Sequence, residues 1–482
     1  MRSKAFPWAA AIACAAALSP IAAGAAEPDE LAALRAEIAA LKTEYAGRVA
    51  TLEARLTQLE AGAASAPPAA APDTAAAAAA VAQAPSEPSP AAVAAGGIEQ
   101  RGPAFNPSIS AILTGTYANL SQDPGDYAIA GFMPSGGEIG PGERGFSLGE
   151  SEITFSASVD PYFAASLTAA LSSEGELEVE EAFARTSALP AGLTAKVGRF
   201  FSGVGYLNEF HAHSWDFVDL PLAYQAFFGG QYAQDGAQLK WVAPTDLFLE
   251  VGAEIGNGDA FPATRDEGNG FNSTTLFTRL GGDLGDSIGW RAGLSWVDAD
   301  AVERSYEDTD ALGNAVLNAF SGQSRTWIAD ATLKWAPGGD ARRQALKLQA
   351  EYMEREEEGL LAYDLEDSAL DGSYRSRQSG WYVQGVYQFV PRWRAGVRYD
   401  SLDAGDTRIG LVSDGTLAAG DFPLLFAAGD PSRTSLMLDF SPSEFSRLRV
   451  QYAWDDARAA ATDEQWLLQY IYAIGAHGSH KF

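Results

Sequence analysis

Between Ser379 and Asp400 the chain reads SGWYVQGVYQFVPRWRAGVRYD, and apolar and polar side chains alternate along it. Trp381, Val383, Gly385, Tyr387 and Phe389 form one row, and Tyr382, Gln384, Val386 and Gln388 form the other. After Val390-Pro391-Arg392 the alternation restarts, with Trp393, Ala395, Val397 and Tyr399 set against Arg394, Gly396 and Arg398. A period of two sends successive side chains to opposite faces of a strand. The stretch therefore predicts a hairpin closed by a Pro-containing turn. In a sandwich the apolar row would meet a second sheet; in a barrel set in lipid it faces the hydrocarbon while the polar row lines water.

The same pattern recurs from Asn106 onward. It predicts strands near 107–118, 146–159, 163–172, 177–187, 193–200, 235–243, 247–256, 274–284, 288–298, 325–336, 344–355, 379–390, 393–402, 433–441, 446–455 and 463–482, sixteen in all. Short connections, such as Asp160-Pro161 and Ala243-Pro244-Thr245-Asp246, alternate with long ones at 119–145, 201–234, 299–324, 356–378 and 403–432. Short on one side and long on the other is the layout of an all-β transmembrane antiparallel barrel, with short turns in the periplasm. An even strand number brings both ends of the barrel to that side. Outward rows follow by parity: Trp327, Ala329, Ala331, Leu333 and Trp335; Trp290, Ala292, Leu294 and Trp296; Leu448, Val450, Tyr452 and Trp454. Aromatics at row ends fit the girdles of such barrels. Lipid allows no open sheet edge, so the sheet must close. Sixteen strands enclose a lumen wide enough for water.

The N-terminal region carries a different pattern. Met1 to about Ala25 reads as a secretory signal: Arg2 and Lys4, an apolar stretch from Ala9 to Leu18, and a small-residue site at Ala23-Gly24-Ala25. A lipoprotein signal at Cys14, the single cysteine, is the rival reading. Over 27–60, Leu31, Leu34, Ile38, Leu41, Tyr45, Val49, Leu52, Leu56 and Leu59 keep heptad-like spacing with one stutter, which predicts a short self-associating α-helical coiled coil in the periplasm. An Ala/Pro-rich flexible linker follows over 61–104. No later apolar run reaches the roughly 18–20 residues of a transmembrane helix. The formal net charge of −30 argues against a nucleic-acid partner.

With the strands and coiled coil in hand, the chain resembles the phosphate-selective porin O and P family over about 105–482. The nearest local match is LTAKVGRFFSGVGYLNEFHAHSW from Leu193 to Trp215, similar to the family's strand that opens into an inward-folding third loop. Gly198, Gly203 and Gly205 suit a chain that bends into a lumen. The resemblance implies a homotrimer of channels in the outer membrane, each constricted by that loop, with Arg199, His211, His213, Asp216 and Asp219 on the constriction. Phe482 at the chain end resembles the signal read by the barrel-assembly machinery. Phosphate-selective members line the pore with Arg and Lys, because an anion needs positive partners in place of its hydration shell. Here the inward rows are mixed. Lys240, Arg291, Lys334, Lys347, Arg394, Arg398, Arg447 and Arg449 stand with Glu152, Glu250, Glu254, Asp330, Glu351, Asp400 and Asp439. Phosphate selectivity is therefore not carried over.

Acids concentrate in the expected outer loops, among them Glu303, Glu307, Asp308, Glu356, Glu357 and Glu358. They would bind cations that bridge lipopolysaccharide, or simply keep the loops soluble. The four histidines fall in two pairs, His211/His213 and His477/His480. With Asp216 and Asp219 nearby, the first pair suits a zinc-type metal. Hydrolytic barrels need a nucleophile beside a histidine, and although Ser202 and Ser214 are close in sequence, no G-x-S-x-G motif accompanies them. The reading is a porin for small polar or ionic solutes, with no cofactor and no enzymatic activity. Two alternatives stand beside it: metal uptake, and a barrel that only anchors a tether to the cell wall.

Overall fold

The computed structural model describes residues 107–136, 139–171, 175–264 and 269–475. The signal, coiled coil, linker, Cys14, His477, His480 and Phe482 lie outside them. The described strands form one antiparallel sheet. In chain order they are β1 (Ser108–Leu120), β2 in two pieces (Gly145–Ser147 and Ser151–Ser158), β3 (Phe163–Leu171), β4 (Leu177–Thr186), β5 (Leu193–Phe201), β6 (Ala233–Val242), β7 (Phe248–Gly256) and β8 (Ser273–Leu284). Then come β9 (Ile288–Thr309), β10 (Ala315–Trp335), β11 (Ala345–Tyr363), β12 (Leu370–Val390), β13 (Trp393–Ile409), β14 (Ser432–Ser443), β15 (Ser446–Asp455) and β16 (Asp463–Gly475). Both pieces of β2 pair with β1, so the sheet has sixteen strands.

The ring closes where β1 pairs with β16, from Ser110 opposite Gly475 to Leu120 opposite Gln465. Each strand thus has a partner on both sides, and no ladder of backbone groups is left at an edge. The turns after even-numbered strands up to β14 are short. Two of them span only two residues: Pro391 and Arg392 between β12 and β13, with Arg392 at φ 73°, and Glu444 and Phe445 between β14 and β15. The start of β1 and the end of β16 lie at that same rim.

All sixteen expected strands are present, but five run longer than their apolar rows. The stretches 299–324 and 356–378, expected as long loops, are the paired upper parts of β9–β10 and β11–β12, and β13 extends to Ile409. Their faces alternate too, but with charged residues on the outer face, so hydropathy alone hides them. The Glu356-Glu357-Glu358 run is an example: Glu356 and Glu358 are exposed, while Glu357 is buried against Arg304 at 2.8 Å. Inside these tall hairpins Tyr306, Phe320, Leu361, Tyr374, Ile409 and Phe422 pack into an apolar cluster. The space between the hairpins is filled.

Below it the two faces separate by parity. Outward side chains are apolar and open, including Leu294, Trp327, Leu348, Val383, Val397, Val450 and Leu468. Inward neighbours such as Asp330, Glu351, Gln384, Arg398, Asp439 and Arg449 are buried. What buries them is the segment between β5 and β6.

Candidate functional site

Residues 202–232 leave the wall after Phe201, cross the lumen and return at Ala233. Within them a helix, α1 (Leu222–Phe228), has all seven residues buried. Leu222, Ala223, Tyr224, Ala226, Phe227 and Phe228 join Val204, Leu207 and Trp215 in a cluster with inward wall residues Val297, Ile328, Met353 and Tyr382. An apolar helix inside a ring of charged side chains is stable only if its polar backbone ends find partners. Asp400 accepts from the Leu222 amide at 3.0 Å, at the end where the helix dipole favours an anion. Gly229, at φ 69°, closes the other end.

The wall holds the entering leg by side chains that reach its backbone. Glu254 accepts from the Ser202 hydroxyl at 2.5 Å and the Gly203 amide at 2.8 Å. Arg279 donates to the Gly203 carbonyl at 2.7 Å, and Arg291 donates to the Gly205 carbonyl at 2.8 Å. Glu351 accepts from the Tyr206 amide at 3.1 Å, the Leu207 amide at 3.2 Å and the Tyr224 hydroxyl at 2.9 Å. Gly205 lies at φ 60°, and a Cβ there would stand 2.2 Å from Glu351, so the approach requires glycine. Asn208 ties the two legs together, donating to the carbonyls of Ser202 and Tyr232 and accepting from the Tyr232 amide.

Further along, two acids pin the segment to the opposite wall. Asp216 meets Lys347 at 2.9 Å and Arg394 at 3.0 Å. Asp219 meets Arg398 at 2.9 Å and Arg433 at 2.7 Å. Burial raises the Asp219 carboxyl, but Arg398 and Arg433 outweigh it and hold the group down at about 2. Asp216 is likewise driven well below its usual range against its own burial, by Lys347 and Arg394. Arg447 and Arg449 cap the Trp215 carbonyl, with Arg449 at 2.7 Å.

Lys240, Arg291, Lys334, Arg394, Arg398, Arg447, Arg449, Glu250, Glu254, Asp330, Asp400 and Asp439, read as pore-lining, all sit on inward rows. They are not a freely solvated wall: Arg398 and Arg449 are buried against the crossing segment. The ion pairs differ in which partner stays exposed: Arg398 keeps 1% against 9% for Asp219, and Arg279 7% against 17% for Glu209. Arg394 keeps 14% of its side chain exposed while its partner Asp439 keeps 0%, and Arg291 keeps 13% while Asp330 keeps 1%. Lys347 keeps 25% of its side chain exposed and lies over the Tyr206 ring, with Arg291 over the same ring.

Of the residues assigned to the constriction, His211, His213, Asp216 and Asp219 lie on the crossing segment. Arg199 does not. It sits on the outward parity of β5 and forks onto Asp235 of β6 at 2.6 and 3.0 Å. It shares that face with Val197, so simple alternation along β5 already turns it outward. Asp216 and Asp219, the acids nearest the histidines in sequence, pair with Lys347, Arg394, Arg398 and Arg433. The histidines meet Glu152, Glu180 and Glu181. Opposite Thr168 and Ala169 the register of β4 slips between Val179 and Glu181, so Glu180 is the extra residue of a bulge. Two adjacent glutamates in an alternating strand were the available signal for it. Burial lowers the His211 imidazole's proton affinity, but Glu152, Glu180 and Glu181 overturn that and hold it well above its ordinary value.

No family model matches the chain. A protein of Aquifex aeolicus (strain VF5), described as an uncharacterized protein, is 32% identical over 356 residues, which cover 70% of this chain and 71% of that one. The chain belongs to the family of that Aquifex protein. Several solved structures share the barrel outline at low identity. OmpTdeltaL8, a loop-deletion mutant of an outer membrane protein of Vibrio cholerae, has 13% identity and a TM-score of 0.47, covering 77% of this chain and all of that one. OprB of Pseudomonas putida has 13% identity and a TM-score of 0.46, over 76% and 94% of the two chains. An anion-selective porin from Comamonas acidovorans has 8% identity and a TM-score of 0.45, over 77% and 99%.

Proposed function

We propose that this family member is an outer-membrane porin, passing small polar or ionic solutes beside the segment 202–232. One observation carries the reading. The outer wall is apolar, whereas the inner wall carries charged side chains, among which Arg291, Lys347 and Arg394 stay partly accessible beside buried acid partners. A barrel built only to hold on to a membrane needs no such lining. Buried ion pairs are costly to assemble and are weak contributors to stability, so a lining of them is more readily explained by solute passage. The narrow, cation-flanked route favours anions over cations of equal size, without the dedicated ladder that phosphate selectivity requires.

The periplasmic coiled coil over 27–60, assembly as a homotrimer, contact with lipopolysaccharide and delivery through Phe482 to the barrel-assembly machinery belong to the same reading. The test is swelling of liposomes that hold the refolded protein, in solutes of graded size. Swelling should be fast for the smallest sugars and amino acids and fall off steeply with size. Equal and negligible swelling for all of them contradicts the reading.

A second reading is favoured by one observation, the apolar cluster that α1 builds across the lumen. On it the barrel is closed and serves as an anchor for the coiled coil. Deleting 27–97 separates the two: a porin retains its solute flux, whereas an anchor loses its cell-wall association and has no flux to lose.

A further inference from the structure

We propose that His211, Glu152 and Glu180 form a binding site for a first-row divalent cation of the zinc type, with Glu181 and His213 as positioning residues. The site goes beyond the porin reading and stands whether or not the barrel conducts.

Three separate elements converge on it: β2 brings Glu152, the bulge of β4 brings Glu180 and Glu181, and the crossing segment brings both histidines. One ligand atom each from Glu152, Glu180 and His211 lie within 4.8 Å of one another. His211 Nδ1 is 3.1 Å from Glu180 Oε2 and 3.4 Å from Glu152 Oε2. Tetrahedral bonds of about 2.0–2.2 Å set neighbouring ligand atoms roughly 3.3–3.6 Å apart. The two spacings from His211 Nδ1 lie close to that range, and the Glu152–Glu180 spacing is within 4.8 Å.

The surroundings have the form of a ligand-orienting shell. Glu181 Oε2 lies 3.1 Å from His211 Nε2, the ring nitrogen turned away from the site. A carboxylate on the far nitrogen fixes the tautomer that leaves Nδ1 able to bind metal. His213 Nδ1 holds the other oxygen of Glu152 at 2.8 Å. Glu181 is itself held, accepting from the Phe201 amide at 3.2 Å through its second oxygen. Glu150 hydrogen-bonds Glu180. Four carboxylates and two imidazoles share this pocket. The acids outnumber the imidazoles, and a divalent cation offsets that excess. The imidazole donor selects zinc-type ions over Ca²⁺ and Mg²⁺, which prefer all-oxygen sites. His211 retains 20% exposure and Glu180 11%, leaving an approach from the lumen and a coordination position for water.

The experiment uses the full chain, refolded in detergent, with ZnCl₂ as the probe and calorimetry as the readout. We expect one Zn²⁺ per chain, with Mg²⁺ unable to compete. Glu180→Gln and His211→Ala should each abolish the site. Glu181→Gln, acting through His211, should weaken binding 10–100-fold while the stoichiometry stays at one, as second-shell changes do. Changing His477 and His480 together to Ala should alter nothing, which separates this site from the terminal pair. Co²⁺ added to the unaltered protein should give an intense visible spectrum of four-coordinate type, a readout that needs no variant to fold. Absence of a stoichiometric Zn²⁺ site, or a site that survives Glu180→Gln and His211→Ala in folded protein, overturns the proposal.

Discussion

Asp219, on the segment that crosses the lumen, and Arg433, on β14, meet at 2.7 Å with none of the arginine side chain exposed. Arg398 shares the same carboxylate, and Arg433 also donates to the Leu220 carbonyl at 2.5 Å. The pair joins the start of α1 to the wall. Removing the acid leaves two buried guanidinium groups without that partner, a change that typically costs about 3–5 kcal/mol. Asp219→Ala should therefore loosen the segment: single-channel current becomes larger and noisier than in the unaltered protein. A current of the same size and noise would mean the segment is held elsewhere.

The same pair sets a pH window. The Asp219 carboxyl is held at about 2 in the folded protein, against about 3.9 for a free aspartate. A depressed carboxylate contributes stability that is fully present above its unfolded value and lost as pH falls through the folded one. Between about pH 4 and 2 the anchor should weaken, and current noise should rise. At neutral pH the Asp219 carboxylate stays ionised and contributes no pH dependence of its own. In Asp219→Asn this acid-induced rise should be absent; a rise of the same size there would assign it to other groups.

Within the Glu356-Glu357-Glu358 run of β11, only the middle residue should matter for stability. Glu357 is buried against Arg304, and Arg355 lies beside it. Glu357→Ala should cost about 3–5 kcal/mol by leaving those arginines uncompensated. Glu358→Ala, on the exposed side, should stay within about 0.5 kcal/mol. Equal shifts in the denaturant midpoint would contradict the parity assigned to the upper part of β11.

Val450 lies midway along β15 and points outward, with Arg449 and Gln451 inward on either side. If the apolar face meets hydrocarbon, Val450→Arg should cost about 2–4 kcal/mol in folding into bilayers. Little or no cost would remove the membrane from that face.

The barrel itself was legible because period-two alternation is a local property, and the apolar rows mark each strand wherever lipid would touch it. Beyond those rows the signal ended: the tops of β9 to β13 carry charges outward, as at Glu356 and Glu358, so they looked like loops. Inward residues such as Arg398 and Asp439 could be assigned by parity, but their partners could not. Whether Arg398 faces water or Asp219 depends on a segment brought in from far along the chain. The metal pocket was half visible. His211 and His213 stood out by type, but the nearby acids in sequence, Asp216 and Asp219, are bound to the opposite wall. The glutamates that do face the histidines arrive through a bulge in β4 and the broken strand β2, which are features of three-dimensional register. Arg199 was misassigned although plain alternation from Val197 places it on the outer face.

The most direct test of the central claim is single-channel conductance of the refolded protein in a planar bilayer under a salt gradient. The account predicts small, discrete openings in groups of three, with a reversal potential of the sign that marks anion preference, and larger openings in Asp219→Ala. Silent bilayers for both proteins would contradict a porin and leave the barrel as a closed anchor.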